Sequence, residues 1–205
     1  MSHYFTEPSS TEKRRRVDVR FWDTDWRFST ANEVFSSDGL DLGTAVLLRE
    51  SAPPAGATRL LDLGCGWGVL AIALATGCPG AIVEAVDVNP RALALCADNA
   101  REHGVAERVR PLRPEQVEPD ATYDEIWSNP PIRIGKEPLH ELLLTWLPRL
   151  KPDGVARLVV GRNLGADSLQ RWLAGQGWRC ERVASAKGFR VLRVSRELSA
   201  EPPSP

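Results

Sequence analysis

Two short turns in this chain carry residue types suited to chemistry. Leu61-Asp62-Leu63-Gly64-Cys65-Gly66-Trp67-Gly68 sets glycines between an apolar run and a helical pattern. Glycine lets the chain turn sharply and lets the backbone approach a ligand without Cβ collisions. Free N–H groups at the helix start then face an anionic group such as a carboxylate or phosphate. Asp87 ends the next apolar run, where a carboxylate can accept both hydroxyls of a ribose. The second turn is Ser128-Asn129-Pro130-Pro131-Ile132-Arg133. Its prolines fix their own φ angles, lack N–H donors and hold Asn129 extended. The Asn129 side-chain oxygen and the Pro130 carbonyl can accept the two coplanar N–H groups of an exocyclic amine and aim its nitrogen lone pair. Such chemistry works by orientation and fixed dipoles, without a covalent intermediate.

The glycine turn alone does not separate S-adenosylmethionine (SAM) from a nicotinamide dinucleotide. Its spacing is G-x-G-x-G rather than the G-x-G-x-x-G of dinucleotide binders. Asp62 precedes it, placed to receive the ammonium of a methionine moiety. These details favour SAM, and the Asn-Pro-Pro turn then points to methyl transfer onto an amino or amide nitrogen. A dinucleotide-dependent oxidoreductase leaves that turn unexplained.

The elements that must position these turns follow from hydrophobic periodicity. Residues 1–16 are polar and read as irregular. Val17–Trp22 alternates, Asp23-Thr24-Asp25 is turn chemistry, and Trp26-Arg27-Phe28 resumes the alternation, which predicts an amino-terminal β-hairpin. A helix is expected at Leu42–Glu50. Strands are expected at Arg59–Leu63, Ala81–Val88, Val109–Leu112, Tyr123–Ser128 and Val155–Val160, the last central in the sheet. Helices are expected at Val69–Thr76, Pro90–His103, Leu139–Leu150 and Ser168–Ala174, with Lys151-Pro152-Asp153-Gly154 closing the third. Arg179–Ser185 and Phe189–Val194 read as a closing hairpin that adds one antiparallel strand at an edge. Alternating β and α elements require a mostly parallel sheet covered on both faces, an α/β Rossmann-like fold.

The 205 residues suffice for one well-buried α/β domain. Residues 1–50 read as an extension whose hairpin packs on that domain, 51–198 as the domain itself, and 199–205 as a disordered tail. No apolar run is long enough to span a bilayer, and the start lacks the layout of a secretory signal. The expected location is cytoplasmic, with no membrane partner. Cys65, Cys78, Cys96 and Cys180 lack C-x-x-C spacing, so no metal is expected. The net charge of −1 argues weakly against a nonspecific nucleic-acid binder. It leaves room for a local basic patch, and Lys13-Arg14-Arg15-Arg16 is one such run. Arg133, Lys136 and Arg162 fall just past strand ends, where they can meet phosphates.

With these residues in view, the chain resembles the methyltransferase-small family, and within it single-domain relatives of the RsmC-type ribosomal RNA guanine-N2 methyltransferases. The resemblance is carried by His3-Tyr4-Phe5, Val34-Phe35-Ser36, Leu40-Asp41-Leu42-Gly43-Thr44 and the glycine turn. It continues in Val86-Asp87-Val88-Asn89, Arg91-Ala92-Leu93, Asn99, Ser128 to Arg133 with Gly135-Lys136, Gly165-Ala166 and Gly188-Phe189-Arg190-Val191. It implies a class I SAM-dependent methyltransferase fold with a seven-stranded sheet. It also implies methyl transfer to guanine N2 of 16S rRNA in the small ribosomal subunit. Alternatives within amine methylation are a protein glutamine or a DNA adenine, and outside catalysis an RNA-binding assembly factor.

The expected catalytic turn is Asn129, Pro130, Pro131 and Ile132. The expected cofactor set is Asp62, Gly64, Cys65, Gly66, Gly68, Asp87, Val88 and Asn89, to which the resemblance adds Phe35 and Thr44. Substrate contacts are expected from Arg133, Lys136, Arg14, Arg15 and Arg16. Two departures from the family pattern stand out. Ile132 replaces the aromatic that many Asn-Pro-Pro enzymes stack on the target ring. Leu112-Arg113-Pro114-Glu115 stands where an acid often approaches the adenine. Two-domain relatives carry a further amino-terminal domain, so docking here is expected to use the hairpin, the Lys13–Arg16 run or a dimer partner.

Overall fold

The structure, a computed structural model, describes residues 10–131 and 135–197. Ile132, Arg133, the His3-Tyr4-Phe5 start and the tail at 199–205 lie outside the described residues.

The chain begins with an antiparallel hairpin, β1 (Arg14–Phe21) and β2 (Thr24–Ala31), followed by α1 (Leu42–Glu50). Strands and helices then alternate: β3 (Arg59–Leu63), α2 (Val69–Gly77), β4 (Ile82–Val86), α3 (Pro90–Glu102), β5 (Val109–Leu112), β6 (Tyr123–Ser128), α4 (Lys136–Trp146), β7 (Leu150–Gly161) and α5 (Ala166–Gly175). A second hairpin, β8 (Trp178–Ala186) and β9 (Phe189–Arg196), closes the chain. The main sheet has seven strands in the order β5-β4-β3-β6-β7-β9-β8. Only β9 opposes the common direction, because it pairs antiparallel with both β7 and β8. The antiparallel strand therefore lies one place in from the edge, not at the edge as the hairpin reading expected. The middle strand is β6 rather than β7.

Strand order reverses between β3 and β6, and ligands of open α/β sheets bind at such a crevice beyond the carboxyl ends of the strands. The residues that end these strands are the ones both turns follow. Local chemistry sets the boundaries. Asp41 caps α1 by accepting from the Gly43 and Thr44 N–H groups. Asn89 caps α3 in the same way, and Pro90 at its first position has no N–H to leave unpaired.

The two apolar cores lie on opposite faces of the sheet. One gathers α1, α2 and α3 with Phe21 and Phe28 of the first hairpin; the other gathers α4 and α5. Asn99 of α3 fastens the hairpin to the first core. Fully buried, it accepts from Ser29 N–H at 2.7 Å and donates to the Ser29 and Trp67 carbonyls at 2.8 Å each. The hairpin thus braces the glycine turn through the backbone of Trp67.

Two further sequence expectations shift. Residues 14–16 are strand, paired with Ala31, Thr30 and Ser29, because a charged run tolerates an exposed strand face as well as a loop. Lys151-Pro152-Asp153-Gly154 does not end a helix. α4 closes at Trp146, a short 3-10 turn spans Leu147–Arg149, and β7 runs through the proline beside a register shift opposite Tyr123.

Candidate functional site

At the carboxyl ends of β3, β4 and β6 lie two connected sets of residues. An inner recess of about 40 Å³ is lined by Phe35, Asp41, Thr44, Asp62, Gly64, Cys65, Gly66, Trp67 and Asn129. A cleft of about 710 Å³ shares Phe35, Gly64, Gly66 and Asn129 with it and extends past Asp87, Val88 and Asn89 to α4. Gly68, expected with them, lines neither cavity and packs on Cys96 instead.

The glycine turn is shaped by the two acids beside it. Gly64, Gly66 and Gly68 all sit at positive φ (77°, 53° and 94°), where a side chain is strained. At Gly68 space is limiting too: a Cβ would lie 2.7 Å from Cys96 Sγ on α3. Asp87 Oδ2 accepts from Gly66 N–H and Oδ1 from Asn89 N–H, both at 2.9 Å. Burial pushes its carboxyl up, and the backbone N–H bonds oppose that shift. Asp62 Oδ2 accepts from Ala71 N–H at 2.9 Å in the first turn of α2. Two backbone donors that the sequence reading left for a ligand are thus held by carboxylates of the protein.

What remains open at the recess is Asp62 Oδ1. Asp62 is 1% exposed, and this oxygen has no hydrogen-bond partner. Burial, with Asp87 nearby, pushes its carboxyl up to about 8. A buried acceptor without a donor is costly, and a cation placed at Oδ1 would relieve it. Cys65 lines the same recess, buried beside Cys96, with its thiol raised by desolvation.

Asn129 is held in one orientation. Its Nδ2 donates to Asp41 Oδ1 at 2.6 Å and to Thr44 Oγ1 at 3.0 Å. A carboxylate only accepts, so the amide nitrogen must face Asp41 and the amide oxygen must face away from it. Thr44 therefore acts here on Asn129 as well as lining the recess. Pro130 is buried and Pro131 lines the cleft. Phe35, 40% exposed, lines both cavities, and its carbonyl accepts from Trp67 Nε1 at 3.1 Å.

Other expected residues are placed differently. The Asn89 side chain is engaged in capping α3 and in donating to the Glu33 carbonyl. Lys136 is exposed at the start of α4 and is not among the cleft-lining residues. Arg14, Arg15 and Arg16 lie on β1, paired with Glu12 and Asp98, with Asp38, and with Glu102 respectively.

The sequence reading missed two contributors. Asp41 orients Asn129, although an Asp just before a helix signals only a cap. The cleft face of α4 holds Pro138, Glu141, Leu142, Thr145 and Trp146. Their i, i+3, i+4, i+7, i+8 spacing is a one-face helical pattern that was legible beforehand.

The sequence profile of the methyltransferase small domain family matches residues 25–193, more than half of the chain. The chain belongs to the methyltransferase small domain family. Among family relatives, Bacillus subtilis YbxB is 28% identical over 198 residues, spanning 95% of this chain and 98% of that protein. The ribosomal RNA small subunit methyltransferase C of Shewanella amazonensis is 35% identical over 163 residues, which is 78% of this chain and 47% of that enzyme. Among solved structures, the T. thermophilus 16S rRNA N2 G1207 methyltransferase (RsmC), in complex with AdoMet and guanosine, superposes with a TM-score of 0.74. It is 22% identical and covers 93% of this chain and 52% of that one. This methyltransferase small domain protein thus matches YbxB end to end and spans about half the length of the RsmC enzymes. Its architecture is the Rossmann-like fold of class I SAM methyltransferases. Among its described residues no helix is long and apolar enough to cross a membrane, and no cluster of His, Cys, Asp and Glu could hold a metal ion.

Proposed function

We propose that this protein is a SAM-dependent N-methyltransferase acting on the exocyclic N2 of a guanine in 16S rRNA of the small ribosomal subunit. The observation that carries the reading is the fixed Asn129 amide, its Nδ2 engaged by Asp41 and Thr44 beside a recess with an unpartnered buried carboxylate oxygen.

The residues of the recess fit the cofactor. Asp62 Oδ1 would take the ammonium of its methionine moiety, and Gly64, Cys65 and Gly66 would line the same end of the site. Asp87 retains lone pairs for ribose hydroxyls after its backbone bonds. Val88 and Pro114 offer apolar contact to the adenine, with the cleft face of α4 opposite. When bound, SAM supplies a methyl group on a sulfonium, an electrophile whose leaving group is a neutral thioether.

The remaining work falls to the chain. Asn129 Oδ1 and the Pro130 carbonyl accept the two amine N–H groups, which turns the nitrogen lone pair toward the methyl group. Rigidity of the turn and of the Asp41–Thr44 clamp keeps these acceptors in place, so little reorganisation is needed. Both are hydrogen-bond acceptors rather than bases, so the amine proton passes to water. Similarity to the RsmC enzymes supports rRNA as the substrate.

The test is methyl transfer from labelled SAM to small ribosomal subunits, naked 16S rRNA, genomic DNA and total protein from cells lacking the gene, followed by nucleoside and amino-acid analysis. Labelled N2-methylguanosine is the expected product. Label in N6-methyladenosine of DNA or in methylglutamine replaces the substrate. SAM binding without label anywhere replaces the enzyme with an assembly factor.

A further inference from the structure

The β8–β9 hairpin holds positive charge that the proposed chemistry does not use. Its turn lies at the carboxyl end of β7, since Gly161 pairs with Phe189 and Arg162 N–H donates to the Gly188 carbonyl at 2.8 Å. A groove of about 670 Å³ runs there, lined by Arg162, Arg182, Lys187 and Arg190, with small residues between them and no acid. Arg190 is largely buried and meets Asp167 of α5. Arg162, Arg182 and Lys187 are exposed and have no ion-pair or side-chain hydrogen-bond partner among the described residues.

The turn itself is unusual. Both hairpins of the molecule turn through two residues at positive φ, Trp22-Asp23 (46°, 58°) and Lys187-Gly188 (49°, 82°). Such turns favour Asn, Asp or Gly at the first position. Trp22 is held there by its Nε1, which donates to the Leu48 and Ser51 carbonyls at 2.8 and 3.2 Å. Lys187 has no such tether, and its conformation sets an ammonium at the tip of the hairpin.

The groove adjoins the site through one side chain. At Gly43 a Cβ would lie 3.0 Å from the Phe189 ring and 2.9 Å from Asp41 Oδ1, the oxygen that also holds Asn129 Nδ2 at 2.6 Å. Phe189 thus packs between the groove and the residues that orient Asn129.

We propose that this groove is the track for the phosphate backbone of the RNA strand, which enters over Phe189 to reach Asn129. The proposal rests on the reading of the site as an RNA amine methyltransferase. Unpaired cations over small residues read backbone charge without reading sequence. Positive charge on an edge strand also deters strand pairing, but that role leaves salt dependence unmoved.

The variants are R182Q/K187Q and R162Q, in the full chain. The readouts are anisotropy of a labelled single-stranded RNA across a salt series, KM for 16S rRNA, and SAM affinity as a check on folding. Each lost phosphate contact should flatten the logarithmic salt slope by about 0.7, so the double variant should lose about 1.4. RNA affinity should fall roughly tenfold at low salt, with the catalytic loss in KM and SAM affinity retained.

Wild-type RNA methylation with unchanged slopes and KM in the variants overturns the groove alone. Groove-dependent RNA binding without methylation keeps the groove and overturns the proposed function. Absence of RNA binding by the wild type, or groove-dependent binding of an acidic protein instead, overturns the track. So does variant aggregation with an intact salt slope.

Discussion

The two hairpins of this protein are both arginine-rich and both turn through two residues, yet the basic run of the first and the basic groove at the turn of the second hold their charge differently. In the first, the cations are consecutive in sequence, and the fold brings acids to meet them. Glu12 and Asp98 meet Arg14, Asp38 meets Arg15, and Glu102 meets Arg16. In the second, Glu181 meets Arg179 and Arg193 and Asp167 meets Arg190, but at its turn Arg182 and Lys187 join Arg162 from the end of β7 along a groove without an acidic lining residue. A basic run in sequence therefore says little about surface potential, because the counter-charges come from elements distant in the chain. Here α3 supplies two of them. The first hairpin serves as a brace, tied through Asn99 to the glycine turn; at the turn of the second, Arg182 and Lys187 stay exposed.

The largest effect should come from Asn129, which lies between the regions the hairpins border. Asn129→Ala should lower the methyl-transfer rate on the order of 10²–10³-fold while SAM binding persists. Equal losses of rate and SAM affinity in single-turnover and calorimetric measurements would remove the assigned role.

The brace is tested at Asn99. Asn99→Ala leaves Ser29 N–H and two carbonyls without their side-chain partner in the core, at a cost of about 2–4 kcal/mol. That should appear as a drop in Tm of several degrees with the RNA salt slope unaltered. Unchanged melting would mean that the hairpin is not held this way.

A pH series sharpens the role of Asp62. Its carboxyl is raised to about 8 in the folded chain, above an unfolded value of about 4. Between those values the folded state keeps a proton that the unfolded state has released. The stability contribution is therefore whole below about pH 4 and is lost as pH rises through about 8. Tm should fall from pH 6 to pH 8.5 without ligand, SAM should restore it, and SAM affinity should rise with pH over that window. Asp62→Asn should flatten both trends; a wild-type Tm that rises instead would contradict the unpartnered buried oxygen.

The smallest effect should come from the basic run. Exposed ion pairs of this kind contribute about 0–1 kcal/mol each, so R14Q/R15Q/R16Q should shift stability modestly and RNA affinity by less than about threefold. A loss as large as that of the groove variants would erase the contrast between the hairpins.

Much of the fold was legible because turn chemistry punctuates it sharply. Leu42–Glu50, Arg59–Leu63, Val109–Leu112 and Tyr123–Ser128 have the bounds that their periodicity and flanking residues predict. Where punctuation misleads, so did the reading. Pro152 and Gly154 look like a stop, but the strand continues because the register shift beside Tyr123 absorbs the missing donor. β4 ends at Val86 rather than Val88, and beyond it the Asp87 side chain holds the Gly66 and Asn89 N–H groups while its own N–H still donates to the Leu112 carbonyl.

The sequence by itself determined the alternating α/β plan, the two turns at strand ends and the family, since each depends on local residue types and short spacings. Only the tertiary structure decided which groups within those turns are free. Asp87 and Asp62 hold backbone donors meant, in the local view, for a ligand, while one Asp62 oxygen is left bare. Asp41, far from Asn129 in the chain, settles which end of its amide faces away. Acids from α3 and from segments flanking the first hairpin meet the basic run, whereas among the described residues no acid meets Arg162, Arg182 or Lys187 and only Arg190 of the groove is paired, with Asp167. Hydrogen-bond satisfaction and charge pairing are properties of neighbours in space, and strand order and helix packing choose those neighbours.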